Sequence, residues 1–415
     1  MLRNHGGGHA PVSYLELFFD LVYVFAITQL SHFIGHHPGL IGFLEGVILF
    51  LAVWWVWIFT AWVTNWTNPD RLPIRILILV LMLISLIMAI ALPDAFSGMA
   101  LPFAASYIAL QLGRSIVMVI LFRQEDASRM RNMVRIAIYF AAAAPFWIGG
   151  ALVGGGPQVV LWLVALAIEY CGPLSMFQTP FLGRSANSDW DISGSHMAER
   201  CALFIIIALG EGIVVSGATF AEGPMEPGRI AALVTAFAGS ALVWWLYFDI
   251  GADRGARLIS GHEQAGRLAR NAYTYMHMPI VLGIVIFAVG DALLLEHWSG
   301  PADHALILTQ LGGMVLFLGG LAMFKRFSNT LNNLPLSHGV AILLTAILAL
   351  LGWAWPISAL LYTQLCVVIL LIAVIWEWTS YHGGWLERME ARGWRMAESM
   401  RRRYDARLAR RGRQD

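Results

Sequence analysis

Residues 14–33 read YLELFFDLVYVFAITQLSHF, twenty positions of almost unbroken apolar character that nevertheless carry two acids, Glu16 and Asp20. Such a run crosses a hydrocarbon core of roughly 30 Å as a helix. Acids inside it are costly and need a reason. At spacing i, i+4 the two side chains share one face, which Tyr23, Ile27 and Ser31 continue inward. The rest of the chain has the same character. Of its 415 residues 58% are hydrophobic and 13% charged, and the mean hydropathy is +0.67, so a soluble globular class is excluded. Cys171, Cys201 and Cys366 each sit in an apolar run without CxxC spacing. They read as core residues, not as a disulfide framework or zinc site. The first apolar run is too long for a cleaved leader and lacks a small-residue cleavage site, so no signal peptide is expected.

Runs of about 18 to 25 apolar residues predict an all-α fold, a polytopic transmembrane bundle of about 12 helices. The spans are 14–34, 41–63, 72–92, 103–122, 133–153, 157–177, 197–219, 229–250, 268–290, 305–324, 336–353 and 357–378. Alternate connections hold Arg71 and Arg75, then Arg123, Arg129, Arg131 and Arg135, then Arg184, then Arg254, Arg257 and Arg267, then Lys325 and Arg326. The basic bias of cytoplasmic loops therefore places both termini in the cytoplasm. Residues 386–413 carry ten Arg beside Leu386, Met389, Met396, Met400, Tyr404 and Leu408. This tail reads as an amphipathic helix on anionic headgroups or as a solvated basic tail.

An internal repeat is also expected. Gln111-Leu112-Gly113 answers Gln310-Leu311-Gly312, Trp54-Trp55 answers Trp244-Trp245, Asp94 answers Asp291, Glu169 answers Glu377, and Glu16 answers Glu199. The shared order predicts a six-plus-six parallel duplication. It divides the chain into an N-terminal tail 1–13, a first repeat 14–195, a second repeat 196–380 and a basic tail 381–415.

The stretches ELFFDLVYVFAITQLSH (16–32) and HMAERCALFIIIALGEGI (196–213) resemble the low-temperature-requirement A (LtrA) family of bacterial membrane proteins. WWVWIFTAWVTNW (54–66), WWLYFD (244–249) and AYTYMHMP (272–279) add to the likeness, which runs from residue 14 to about 380. The resemblance implies a multi-pass protein of a bacterial inner membrane, associated with growth in the cold, and no particular mechanism. One departure is Asn68-Pro69-Asp70, where the family pattern has Asn-Arg.

Depth singles out the polar residues. Arg114 lies roughly 13 Å from the end of its helix, and Glu169 and Glu211 each roughly 18 Å from theirs. All three belong near the midplane, where a lone charge costs at least about 2.5–3.5 kcal/mol. A salt bridge from Arg114 to Glu169 or Glu211 is therefore expected, leaving one acid free to load protons. A second group lies nearer the cytoplasm: Glu16, Asp20, His196, Glu199, Arg200, Asp249, Arg270 and His277. Pro279, two residues after His277, removes a backbone donor and frees a carbonyl beside the imidazole. Tyr107, Gln111 and Arg114 form one stripe at i, i+4, i+7. Together the two groups are expected to make a polar path from cytoplasm to midplane.

Each reading has a plainer counterpart. Glu16 and Glu199 occupy first turns, where the helix dipole favours acids. Arg114 suits a counter-ion, His277 a packing residue, and the Trp-rich helices packing or interface belts. Gly154-Gly155-Gly156 reads as a turn. His196-x-x-Glu199-Arg200 lacks the order and second histidine of a zinc-protease motif, so no metal is expected. No phosphate-binding or dinucleotide fingerprint is present, so no cofactor is expected, and no nucleic-acid reading module exists. The partners that remain are membrane lipids and a small solute, ion or proton. A secondary transporter or proton/ion pathway is the leading expectation. The alternatives are a cold-growth scaffold or sensor and a membrane-embedded lipid-modifying enzyme, although catalysis is the weaker expectation.

Overall fold

Ser13 starts the first helix. Its hydroxyl accepts from the Glu16 N–H while the Glu16 carboxylate accepts from the Ser13 N–H, a capping box that satisfies two otherwise orphaned donors. From there the computed structural model, which describes Arg3 and residues 11–37, 39–124, 126–185, 193–249, 270–327 and 334–381, is a succession of helices. They are α1 (Tyr14–His36), α2 (Leu40–Trp66), α3 (Leu72–Ala91), α4 (Ala100–Phe122), α5 (Ala127–Val153) and α6 (Gly155–Leu174). Then come α7 (Gly194–Ala221), α8 (Pro227–Tyr247), α9 (His277–His297), α10 (His304–Phe327), α11 (Leu336–Ala354) and α12 (Ala359–Tyr381). Among the described residues, 12 helices are long and apolar enough to cross a membrane. The tail 386–413, Arg254, Arg257, Arg267 and the side chain of Arg270 lie outside the described residues.

Local chemistry fixes the boundaries. Asp126 caps α5 by accepting from the N–H groups of Ser128 and Arg129, so that helix begins at Ala127, six residues before the expected start, and Arg129, Arg131 and Arg135 ride on its first turns. Gly154, at φ 72°, alone separates α5 from α6. A reversal that short needs the left-handed backbone that glycine adopts freely, as the triple glycine predicted.

Burial separates core from perimeter. In the apolar stretch of α9, 78% of residues are buried, against 28% in α5. α1, α2, α7 and α9 all contact one another in the middle of the bundle, while α3 turns Leu79, Leu83, Ile87 and Ile90 outward. An apolar exterior of this kind belongs against lipid tails, not water. The Trp pairs matched in sequence part company here: Trp54 and Trp55 are fully buried, while Trp244 and Trp245 are exposed. Cys171 is also exposed, contrary to its expected place in the core, whereas Cys201 and Cys366 are buried.

Within residues 14–174, α1 packs on α3, α3 on α4, α4 on α5, α5 on α6 and α6 on α2. Within 194–381, α7 packs on α9, α9 on α10, α10 on α11, α11 on α12 and α12 on α8. The two sets meet where α1 and α2 contact α7 and α9. The tightest crossing is between α9 and α10. A Cβ placed on Gly283 would lie 2.7 Å from the Gly313 carbonyl oxygen, and one on Gly313 would lie 3.0 Å from the Gly283 carbonyl oxygen. Backbone touches backbone there, as small residues allow inside membranes.

Candidate functional site

The acid pair on α1 finds its partners on α7. Glu16 Oε1 lies 2.9 Å from His196 Nε2, and Arg200 donates to Asp20 Oδ1 at 2.9 Å and to the Glu16 carbonyl at 2.9 Å. Deeper in the membrane, Ser31 and Thr28 donate to the two oxygens of Glu211 at 2.7 and 2.5 Å. α1 and α7 therefore run parallel, and the three rungs Glu16–His196, Asp20–Arg200 and Ser31–Glu211 each join residues 180 positions apart. From Glu16 to Ser31 the ladder covers roughly 22 Å. Between the second and third rungs the seam is closed by Tyr23 and Phe204, whose ring centroids are 6.2 Å apart.

α2 supplies groups that the spacing of charges did not reveal. Trp57 Nε1 donates to Asp20 Oδ1 at 2.9 Å, and its ring lies under the Arg200 guanidinium at 5.6 Å. Asn65 accepts from the Ser193 N–H through Oδ1 and donates through Nδ2 to the Ser193 carbonyl, which fixes its amide orientation. The same Nδ2 faces His196 Nδ1 at 3.2 Å. His196 therefore presents an unprotonated Nδ1 to Asn65 and carries its proton on Nε2, toward Glu16. With Ser13 N and Oγ both at 2.8 Å and Arg3 at 3.5 Å, Glu16 accepts from four donors, a set that suits a carboxylate. It is both a helix cap and a buried ion. Glu199 accepts from the Val12 N–H at 3.3 Å beside the cluster. At the second rung, Asp20 Oδ2 and Arg200 Nε are buried without a hydrogen-bond partner among the described residues.

The midplane group is arranged otherwise. The expected salt bridge from Arg114 to Glu169 or Glu211 is not formed. Arg114 donates to the Val56 carbonyl at 3.2 Å, to Thr60 Oγ1 at 3.0 Å and to Gln111 Oε1. The rings of Phe59 and Phe140 lie 5.4 and 6.0 Å from it. Glu169 accepts from the Tyr107 hydroxyl and from Trp147 Nε1 at 2.9 Å. Gln111 Nε2 donates to Tyr107 at 3.2 Å, so the α4 stripe is a relay from guanidinium to carboxyl through an amide and a phenol. Glu211 stands apart on the α1–α7 seam. Depth alone predicted the pairing, but depth does not specify where around the bundle each helix places its charge. One continuous path is accordingly replaced by two networks on different sides of α2, which gives Trp57 and Asn65 to one and Val56 and Thr60 to the other.

His277 belongs to neither network. Residues Arg270–Met276 form a π turn ahead of α9, and Pro279 has no N–H to offer that turn. His277 Nδ1 lies 2.8 Å from the Ala272 carbonyl and its Nε2 2.8 Å from the Tyr247 hydroxyl. The carbonyl only accepts, so Nδ1 is the donor and Nε2 accepts from Tyr247. The carbonyl freed by Pro279 was expected beside the imidazole. The N–H that Pro279 lacks would have served Tyr275 or Thr274, four or five positions back, and the Thr274 carbonyl takes Trp54 Nε1 at 2.9 Å; the partners of His277, Ala272 and Tyr247, were both missed. Asp249 is exposed at the end of α8. A further polar group, Lys325, Glu377, His338 and Ser337, joins α10, α11 and α12, with Lys325 donating to Glu377 and His338 Nδ1 3.2 Å from the same carboxylate. Lys325 was read as a loop charge and Glu377 as an echo of Glu169; neither signal paired them.

Among the described residues no group of three or more His, Cys, Asp or Glu is placed to hold a metal. A family model described as "Bacterial low temperature requirement A protein (LtrA)" matches residues 11–375. The chain is 39% identical over 381 residues to an uncharacterized protein of Rhizobium meliloti (strain 1021), covering 91% of this chain and 92% of that one. No solved structure matches.

Proposed function

The chain belongs to the bacterial low temperature requirement A family, and from that premise we propose that its α1–α7 seam is a pathway for protons or a small ion in the inner membrane. The observation that carries this reading is the ladder of ionisable rungs between two parallel helices, with Asp20 Oδ2 and Arg200 Nε left without hydrogen-bond partners among the described residues at its second rung. Unused buried valences are costly, and a passing proton, ion or water uses them. Intramembrane ionisable residues that face the bundle interior are characteristic of such pathways. The Tyr23–Phe204 closure makes movement of those rings the step that opens passage.

The six-plus-six organisation is part of the proposal. The common order of neighbours in residues 14–174 and 194–381 supports it, and the ladder then lies where the two repeats meet, the usual place for a transport site. The proposed orientation, with both termini cytoplasmic, draws on the arginine-rich connections. It also fits the grouping of Lys325, the Leu246 carbonyl, His338 and Glu377 at one end of the bundle. Lipids meet the apolar perimeter; the transported species is a proton or small ion and not a nucleic acid.

The test is a flux assay in proteoliposomes with an enclosed pH dye, comparing wild type with Asp20→Asn and Glu211→Gln. Flux in wild type that falls at least tenfold in both variants supports the pathway. Wild-type flux unchanged in the variants removes the ladder from it. No flux, with chemical modification of an added lipid, makes the protein an enzyme. Cold growth fully restored by both variants assigns it a scaffold role that needs neither carboxylate.

A further inference from the structure

Asp291 and Gln310 face each other across the glycine-packed α9–α10 crossing, and neither belongs to the networks described above. Their exposures are 1% and 0%. Gln310 Nε2 points to Asp291 Oδ1 at 3.5 Å, while Asp291 Oδ2 and Gln310 Oε1 are both buried without a hydrogen-bond partner among the described residues. Among the described residues no cation lies within ion-pair distance of Asp291. Both unpartnered atoms are acceptors as they stand, and two acceptors in contact with nothing are a costly arrangement in a low-dielectric interior.

We propose that Asp291 is a proton-binding site, held as the neutral acid in a cyclic acid–amide pair with Gln310. A carboxylic acid and a primary amide match each other at two points. The amide N–H donates to one carboxyl oxygen, and the acid O–H donates to the amide oxygen. The first of these contacts is in place, and one proton on Oδ2 supplies the donor that both remaining oxygens lack. The ligand is a proton because a donor is all that the two unpartnered oxygens lack. A Cβ on Gly290 would already lie 2.9 Å from Gln310 Nε2 and 3.0 Å from Thr309 Oγ1. The helices lie close there, and a bare cation would find three side-chain oxygens in this pair where hard cations take about six to eight. On α12 the buried Cys366 thiol lies close enough to feel the charge state of Asp291. Asp291 lies six residues from the C-terminal end of α9, roughly 9 Å in, at the opposite end of the bundle from Glu16 and His196. It is thus a place where a proton can be held on the far side, and its occupancy does not depend on whether the α1–α7 seam conducts.

Infrared difference spectroscopy on the purified full-length protein tests this directly, because a protonated carboxyl in an apolar site has a C=O stretch distinct from that of a carboxylate. The expected result is such a band in wild type, shifted in deuterium oxide and absent in Asp291→Asn. Gln310→Leu should move the same band to higher frequency, since the acid loses its acceptor, and this variant keeps the test open if Asp291→Asn does not fold. A hydrophobic carbodiimide, which modifies protonated carboxyls buried in lipid-accessible protein, should label the peptide containing Asp291. A band that Asp291→Asn leaves unchanged in folded protein, or an Asp291 carboxylate signal that responds to sodium, overturns the proposal. Loss of flux in the proteoliposome assay bears on the seam alone and leaves these readings intact.

Discussion

The α1–α7 seam and the α4–α6 network both bury charge and resolve it in opposite ways. In the seam, Asp20 and Arg200 are in direct contact at 2.9 Å, so charge is cancelled by charge. In the α4–α6 network, Arg114 is surrounded by a hydroxyl, a backbone carbonyl, an amide and two aromatic rings. Its charge is dispersed over dipoles and reaches Glu169 only through Gln111 and Tyr107. The difference teaches that an arginine inside a membrane does not need an acid in contact. It needs its donors satisfied, and a hydroxyl, a backbone carbonyl and an amide can do that.

The largest expected effect comes from breaking the contact pair. Arg200→Leu leaves the Asp20 carboxylate with Trp57 as its remaining donor, and removal of one partner from a buried pair costs about 3–5 kcal/mol. Unfolding in detergent micelles measures it, and Asp20→Asn in the same chain should recover much of the loss. If the double variant is no better than the single one, Asp20 and Arg200 are not coupled and the contrast fails.

Arg114→Met should cost less, about 1–3 kcal/mol for unsatisfied neutral partners. Adding Glu169→Gln should change stability almost independently, with a coupling below that of Asp20 and Arg200 in the same micelle assay. A larger coupling would mean that the Gln111–Tyr107 relay transmits charge as strongly as contact does.

The relay itself is sharpened by Tyr107→Phe. That change removes the phenol between Gln111 Nε2 and the Glu169 carboxyl, and a destabilisation of about 1–2 kcal/mol is expected. Trp147 donates to the other oxygen of Glu169, so its fluorescence should shift with the substitution. An unshifted emission would place the polar change elsewhere.

The smallest effect belongs to a contact that touches the seam without carrying charge. Tyr23 and Ser85 lie 3.4 Å apart, and Ser85→Ala should change stability by no more than about 0.5 kcal/mol. A cost comparable to that of Tyr107→Phe would make α3 a working part of the seam.

Particular residues show where sequence reading stopped. Glu16 was legible twice, as a first-turn acid and as a buried one, and it fills both roles because Ser13 and His196 approach different oxygens of the same carboxylate. Tyr107, Gln111 and Arg114 were legible as a stripe because helical spacing alone sets it. Trp57, Asn65, Thr28 and Tyr247 were not, since each becomes functional only through a partner 30 or more positions away. The matched tryptophans make the same point from the other side: Trp54 and Trp244 look alike in sequence, yet one is buried in the core and the other is exposed.

The sequence by itself determined the apolar surroundings, the twelve long apolar helices and how far along their helices Arg114, Glu169 and Glu211 lie, because apolar run length and rise per residue are local properties of the chain. Tertiary structure alone decided which group meets which. Partner choice depends on how each helix is rotated and which helices are neighbours, and both follow from packing contacts, such as the backbone approach at Gly283 and Gly313, that no local pattern encodes.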